Sequence, residues 1–177
     1  MLAGNSGMDP FSYGYNQATS ESENMNATTL VTTLVDMISR NGSLLLNIGP
    51  KSDGTLPQVE IDNLREAGKW IKTHEEAIFN TTYWFWKAEV KGNATNVRFT
   101  QTDDAFYILS LQKPADGKLV VEAPIPILKG DTMSLFRSED GENLAWEVAQ
   151  EVLTIGIDEG VVGNMEHYWV FKIECRV

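Results

Sequence analysis

The chain is poor in cysteine, histidine and basic residues, and each shortage excludes a class of protein. Its one cysteine, Cys175, has no partner for an internal disulfide. Its two histidines, His74 and His167, are far apart, and no Cys-x-x-Cys or His-x-x-x-His spacing occurs, so the sequence predicts no metal site. Only 14 basic residues stand against 25 acidic ones. The net charge of -11 therefore argues against a nucleic-acid partner, because phosphate backbones are bound by basic surfaces.

Long apolar segments are also absent. No stretch approaches the roughly 20 apolar residues that a membrane-spanning helix needs, so no membrane partner is predicted. The first fifteen residues lack the basic start and apolar run of a secretory signal. At 177 residues the chain is also shorter than a complete (β/α)8 barrel of roughly 250 residues. The composition, 42% hydrophobic and 10% aromatic, is that of a packed protein.

Asparagine, in contrast, is plentiful, and four asparagines lie in N-x-[ST] sequons. These glycosylation candidates are Asn26, Asn41, Asn80 and Asn93. A sequon is an acceptor only in a chain that enters a secretory pathway. Four sequons without a signal sequence favour a chain that derives from a longer secreted protein.

The first part of the chain alternates helix and strand patterns. An apolar stripe with helical period runs from Thr28 to Arg40 and is stopped by an Asn-Gly pair. A strand is predicted at Ser43–Ile48, where the continuous run Leu44-Leu45-Leu46 is typical of a strand covered on both faces. A loop at Gly49–Thr55 and a helix at 57–73 follow. This order predicts a closing βα unit of a parallel α/β barrel.

After Phe79 the pattern changes to short β-branched and aromatic runs separated by turn residues. The predicted strands are Phe85–Val90, Asn96–Thr100, Ala105–Leu111, Leu119–Glu122, Thr132–Phe136, Ala145–Glu147, Val152–Ile157 and Tyr168–Ile173. Strands at this spacing predict an antiparallel sandwich. We therefore expect two domains, 1–82 and 83–177, with Trp84 and Trp86 packed between them.

Several acidic residues are candidates for catalytic carboxylates, but their sequence context argues against that role. Asp53 precedes a glycine in a turn, and Asp103-Asp104, Glu75-Glu76 and the loop residues Glu21 and Glu23 are expected to be solvated surface. The loop that contains Asp53 has the glycine spacing of a phosphate loop, but Thr55-Leu56 replaces the required Lys-[ST]. The sequence therefore predicts no nucleotide site and no cofactor.

Three segments resemble one enzyme family. Asn41–Pro57 resembles N-G-x-L-L-L-N-x-G-P-x-x-D-G-x-x-P, and Asp9–Asn16 resembles D-x-x-S-W-G-Y-x. Glu76-Ala-Ile78 resembles a G-E-A-I-Y turn. These segments are typical of α-L-fucosidases of glycoside hydrolase family 29. The resemblance implies an α+β chain, with the last βα unit of a (β/α)8-type barrel followed by an antiparallel β-sandwich.

The resemblance also implies where the catalytic groups of such an enzyme would stand. Retaining glycosidases use two carboxyl groups about 5–5.5 Å apart. The family's nucleophilic Asp lies in a W-x-D-type motif that is not found in this sequence, and its acid is often the Glu of a W-E-x-C segment. Here Leu2 and Ala3 occupy the positions of that Trp and Glu. The sequence therefore predicts no catalytic residue in this chain and no activity of the chain by itself.

Three residues remain as substrate-pocket candidates: Phe11, Tyr13 and Asn47. Groups at the carboxyl ends of barrel strands face the active site. The alternatives are that Phe11 and Tyr13 pack the barrel rim, and that Asn47 holds the loop by hydrogen bonds.

The resemblance implies fucosylated glycans as partners of a secreted or lysosomal-type parent enzyme. An alternative function is a non-catalytic carbohydrate-binding or assembly module built on the sandwich. We also expect self-association through the incomplete barrel, since the strand at Ser43–Ile48 would lack its usual neighbours.

Overall fold

A computed structural model describes residues 2–85, 97–111, 113–114, 116–136, 143–158 and 167–174. The chain divides into two compact units, Met1–Thr73 and His74–Val177. Each unit is described by itself. No helix in the described part of the chain combines the length and the hydropathy needed to cross a membrane.

The first unit contains two parallel strands and two long helices. The strands are β1 (Leu2–Gly7) and β2 (Gly42–Asn47), and the helices are α1 (Ala27–Ile38) and α2 (Gln58–Thr73). The strands pair in parallel from Leu2 with Gly42 to Gly7 with Asn47. A short 3-10 turn, Glu21–Glu23, precedes α1. The predicted order of helix, strand, loop and helix is confirmed, and β1 is an additional strand that the sequence did not indicate.

Local sequence explains both ends of α1. The carboxamide oxygen of Asn26 accepts the backbone N–H of Thr29 at 2.8 Å, which satisfies one of the N–H groups at the helix start. Asn41, at φ 59°, adopts the left-handed conformation that often follows a helix. Between them the apolar stripe is buried, with Val31 and Val35 fully inaccessible to solvent. The chain therefore turns directly from α1 into β2.

Helix α1 covers one face of the β1–β2 pair. A Cβ at Gly4 would lie 2.7 Å from Cε of Met37, so this position faces α1. Leu44 is the register partner of Gly4, and the next residue, Leu45, points to the opposite face because side chains alternate along a strand. Leu45 is 66% exposed. The expectation of a strand covered on both faces is therefore wrong for this chain, since α1 shields one face and the described residues leave Leu45 exposed on the other.

The described residues of the second unit form one short helix and eight strands. Its elements are α3 (Glu75–Ile78), β3 (Thr82–Tyr83), β4 (Val97–Gln101), β5 (Ala105–Ser110), β6 (Lys118–Glu122), β7 (Thr132–Leu135), β8 (Trp146–Ala149), β9 (Val152–Gly156) and β10 (Trp169–Glu174). The strands form a five-stranded sheet in the order β3-β4-β5-β10-β7 and a three-stranded sheet in the order β6-β9-β8. All their pairings are antiparallel. The predicted strand at Phe85–Val90 lies, from residue 86 on, outside the described residues.

Both sheets contribute to one hydrophobic core. Phe99, Ile108 and Phe171 from the larger sheet share a cluster with Val121 and Ile155 from the smaller one, and all five are fully buried. The two sheets thus cover each other's apolar faces, which is the arrangement expected of a sandwich. The ring of Trp84 packs edge-on against Phe106 at 5.2 Å between ring centroids, within the second unit. Trp86 lies outside the described residues.

A polar network ties α3 to the larger sheet. The hydroxyl of Tyr107, a buried residue, donates to Oε1 of Glu76 at 2.5 Å. Nζ of Lys172 lies 2.8 Å from the same carboxylate oxygen. Burial, reinforced by the Glu76 hydrogen bond, raises the pKa of Tyr107 above its ordinary range. These contacts lie within the second compact unit, which begins at His74 and includes α3.

Candidate functional site

The carboxyl ends of β1 and β2 form one edge of the first unit, and the chain folds a loop over that edge. The backbone N–H of Met8 donates to the carbonyl oxygen of Asn47 at 3.0 Å, which continues the strand pairing by one residue. Oδ1 of Asp9 then accepts the N–H of Phe11 at 2.8 Å. This side-chain turn reverses the chain directly after β1. It leaves Asp9 only 8% exposed and turns Phe11 outward.

Asn47 connects the end of β2 to this loop. Its side-chain Nδ2 donates to the backbone carbonyl oxygen of Tyr13. The carboxamide therefore makes the loop-holding contact, which is one of the two roles proposed for it from the sequence. The rings of Phe11 and Tyr13 remain 68% and 63% exposed. The three pocket candidates thus lie at the same edge.

A cavity of about 610 Å³ opens beside the loop. Its lining residues come from the end of β1, from the loop and from the segment that leads into α1: Asn5, Ser6, Gly7, Asp9, Pro10, Phe11, Ser12, Tyr13, Ser22, Glu23, Asn24, Met25, Asn26 and Thr29. Its size is within the range of about 300–1,000 Å³ for small-molecule sites. Polar side chains and two aromatic rings together form a lining that suits a sugar.

The sequence did not indicate that residues 22–26 contribute to this cavity, because that segment has no periodic pattern. One local signal was available. Ser20-x-x-Glu23 is a capping-box spacing, and the Glu23 carboxylate accepts the hydroxyl of Ser20 at 2.7 Å and its N–H at 2.9 Å. This signal predicts a turn at that point, but not the side of the molecule on which the turn lies.

The two carboxylates that line the cavity are not arranged for proton transfer. The Ser20 hydroxyl, and then the Ser20 N–H, lower the pKa of Glu23, so this exposed side chain is ionised at neutral pH. Asp9 uses one carboxylate oxygen in the turn to Phe11. A glycosidase acid needs the opposite environment, one that raises its pKa. No group of residues that could hold a metal ion occurs in the described ranges either.

Gly49 and the buried Glu60 lie close to the loop that follows β1 and restrict its position. A Cβ at Gly49 would lie 2.7 Å from the backbone nitrogen of Tyr15 and 2.9 Å from the carbonyl carbon of Gly14. The N–H of Gly49 points to Oε2 of Glu60 at 3.4 Å. Burial raises the pKa of Glu60, although the Gly49 N–H partly opposes that effect. Only glycine allows the loop to approach β2 this closely.

We expect Gly49→Ala to displace the loop and to lower the free energy of unfolding of the first unit by about 1–3 kcal/mol, as overpacked sites do. The new methyl group would contact backbone atoms, which cannot rotate away. Amide hydrogen exchange of residues 9–15 measures the effect. Gly14→Ala is the matched control, since nothing lies within 4 Å of a Cβ there. Equal exchange rates in the two variants would contradict the conclusion that the loop requires glycine at position 49.

The structure also shows the positions of the other sequence candidates. Asn26 caps α1, while Asn41 and Asn80 are exposed at φ 59° and 57°. Asn93 lies outside the described residues. The backbone of Leu2 and Ala3 pairs with Gly42 and Ser43 in the parallel strands. The positions that correspond to the family's Trp and Glu therefore lie within β1.

Comparison with known proteins supports the resemblance. The family description "Alpha-L-fucosidase" matches residues 3–76. Plasma alpha-L-fucosidase of Rattus norvegicus is 29% identical over 171 residues, which are 96% of this chain and 35% of the relative. Tissue alpha-L-fucosidase of Homo sapiens is 33% identical over 118 residues, which are 67% of this chain and 25% of the relative. The chain thus spans about a third or less of the length of these relatives.

The fold is similar to that of solved enzymes. The crystal structure of Thermotoga maritima alpha-fucosidase in complex with fucose superimposes with a TM-score of 0.86 at 28% identity and covers 97% of this chain and 39% of its own. An alpha-L-fucosidase from Bacteroides thetaiotaomicron, at 19% identity and a TM-score of 0.77, has the same fold. The α+β fold with antiparallel sheets is therefore that of the C-terminal region of fucosidases.

These findings place the chain in a glycoside hydrolase family. The family is that of the α-L-fucosidases, glycoside hydrolase family 29, and the chain corresponds to their C-terminal portion.

Proposed function

We propose that β1, β2, α1 and α2 form the closing part of the catalytic barrel of a retaining α-L-fucosidase, and that the β1–β2 edge supplies one wall of its fucoside pocket. The observation that carries this proposal is the cavity at the carboxyl end of β1, a strand that pairs in parallel with β2. Active sites of parallel α/β barrels lie at that end. The fucose complex of the Thermotoga maritima enzyme supports fucose as the sugar.

In this role the chain positions the substrate and does not attack it. Phe11 and Tyr13 offer apolar rings to the C–H face of a sugar, and Asn47 fixes their loop through the Tyr13 carbonyl. The reaction itself requires a nucleophilic carboxylate and a proton-donating carboxyl group. We assign neither role to the carboxylates of the cavity: the lowered pKa of Glu23 leaves it no proton to donate, the Glu23 carboxylate is held by Ser20, and one oxygen of Asp9 is engaged in a turn.

The proposed substrates of the intact enzyme are terminal α-L-fucosides of glycans, and its proposed location is secreted or lysosomal. The plasma and tissue enzymes among the relatives support both proposals. The described strands of the first unit form a two-stranded sheet, β1-β2, and this supports the further proposal that the unit associates with other strands, either of an intact barrel or of a second copy. A strand edge without a neighbour favours such pairing.

We expect the purified 177-residue chain to release no more nitrophenol from an aryl α-L-fucoside than buffer alone does. The physical reason is that the required pair of carboxyl groups has no counterpart in the cavity. A colorimetric assay with an intact family enzyme as positive control measures this. Sustained release by the chain alone would overturn the proposal.

The proposed pocket wall requires a separate binding experiment, because the absence of turnover does not show where a sugar binds. Titration with fucose, monitored by NMR, should change the amide chemical shifts of residues 9–13 and Asn47. Tyr13→Ala should abolish those shifts, and Tyr83→Ala, at a 40% exposed residue of the second unit, should leave them unchanged. If the same chemical-shift changes occur in Tyr13→Ala, the proposal that this edge forms a wall of the fucoside pocket is contradicted.

An alternative function is a non-catalytic carbohydrate-binding module in the second unit. The observation in its favour is the pair of exposed rings at Tyr83 and Phe85, which are 40% and 65% exposed. In that case a fucosylated glycan would change the amide chemical shifts of residues 82–85. Binding would then be abolished by Tyr83→Ala and not by Tyr13→Ala.

A further inference from the structure

The segment that joins α3 to β3 contains a sequon in an unusual setting. Asn80 is exposed at φ 57°, a left-handed conformation that asparagine tolerates better than most residues. The hydroxyl of Thr81 donates to the carbonyl oxygen of Ile78 at 3.2 Å and fixes the turn. Thr82, the third residue of the sequon, is exposed in β3. The Asn80 side chain makes no hydrogen bond within the described residues.

A cleft and an exposed aromatic ring lie directly beside Asn80. Phe79, the residue that ends α3, is 54% exposed. The cleft has a volume of about 650 Å³ and is lined by Glu75, Glu76, Phe79, Asn80 and Thr102. Its volume suits a ligand, and its ring, carboxylates and hydroxyl match the C–H faces and hydroxyl groups of a sugar. The exposed Phe79 ring therefore offers an apolar surface at the side of this cleft.

The other described sequons lack this combination. The carboxamide oxygen of Asn26 already caps α1 at 2.8 Å from the Thr29 nitrogen, and Asn26 lines the candidate substrate cavity, which a glycan would obstruct. Asn41 is exposed, but its neighbours in the sequence are Arg40 and Gly42, neither of which is aromatic.

The geometry points to an N-linked glycan on Asn80 whose first sugar packs on the Phe79 ring and occupies the cleft beside it. In the secretory pathway the donor is a polyprenyl-diphosphate oligosaccharide. Nδ2 of Asn80 forms a bond to the anomeric carbon, the bond from that carbon to the diphosphate oxygen breaks, and the polyprenyl diphosphate leaves with the electron pair. Nδ2 loses one proton. The apolar surface of Phe79 is then removed from water, which stabilises the folded state.

Occupancy is tested on the chain secreted from a eukaryotic cell behind a heterologous signal peptide. Release of glycans by an amidase in heavy-oxygen water marks each modified asparagine as a heavy aspartate, which peptide mass spectrometry detects. We expect the mark at Asn80 and its loss in Thr82→Val, which removes the acceptor hydroxyl and keeps a β-branched residue in the strand. An unmarked Asn80 in the unaltered sequon would overturn the proposal.

The contact with Phe79 is tested by a double-mutant cycle. Four proteins combine Asn80 or Asn80→Asp, which cannot be glycosylated and tolerates the same backbone conformation, with Phe79 or Phe79→Ala. We expect the glycan to raise the melting temperature by about 2–4 °C when Phe79 is present and to leave it unchanged in Phe79→Ala. An equal shift in both backgrounds would show that the sugar does not use the ring.

Discussion

Amide protons of β5 should exchange with solvent at least about a hundredfold more slowly than those of β2, a difference of about 2.7 kcal/mol in opening free energy. β5 is hydrogen-bonded on both edges, by β4 and β10, and each of its residues is buried. β2 is paired with β1 along one edge, and the side chain of Leu45 is exposed. The two strands are of equal length, so the comparison is direct.

The measurement is hydrogen exchange followed by NMR, at a dilution where sedimentation shows a monomer. β10, which also lies between two strands, is the internal control and should match β5. The monomer condition matters because pairing of β2 with a second copy would protect its amides. Equal protection of β2 and β5 in the monomer would contradict the expectation that the first unit is the less stable one.

Phe171→Ala should lower the free energy of unfolding of the second unit by about 3–5 kcal/mol. Phe171 is fully buried at the centre of the larger sheet, where Ile108 and Leu135 are its partners on the two neighbouring strands. The substitution removes a large ring and leaves a cavity that strands hydrogen-bonded on both sides cannot collapse to fill. A loss of this size is a large fraction of the stability of a small domain.

Urea denaturation followed by the exchange of β5 amides measures this effect on the second unit. Leu128→Ala is the matched control, because Leu128 is 74% exposed and its truncation should change stability by no more than about 0.5 kcal/mol. Similar effects of the two substitutions would contradict the placement of Phe171 in the core.

The elements that the sequence predicted best have strong periodic patterns. α1 was expected at Thr28–Arg40 and is found at Ala27–Ile38, because its apolar stripe and the Asn-Gly stop are both local signals. Strands β4 to β10 were recognised for the same reason, since β-branched and aromatic runs alternate with turn residues, whereas the two-residue strand β3 was not predicted. Their bounds differ from the predicted ones by one or two residues, as element ends usually do.

The elements that were missed depend on tertiary pairing. β1 consists of Leu-Ala-Gly-Asn-Ser-Gly, in which glycine, asparagine and serine all disfavour a strand. It is extended because its backbone pairs with β2 along its whole length. The same limit applies to the candidate site. The sequence indicated Phe11, Tyr13 and Asn47, but the contribution of residues 22–26 depends on how the chain returns to the edge of the strands.

The link between α3 and the larger sheet restricts where gene recombination could join the second unit to another protein. A joint placed after residue 82 would separate Glu76 from the Tyr107 hydroxyl and from Lys172. The Tyr107 hydroxyl would then have lost its described acceptor, at a cost of about 1–3 kcal/mol for a buried polar group. A joint before His74 keeps the network intact. If this unit has been exchanged between proteins, its inherited boundary should therefore precede α3.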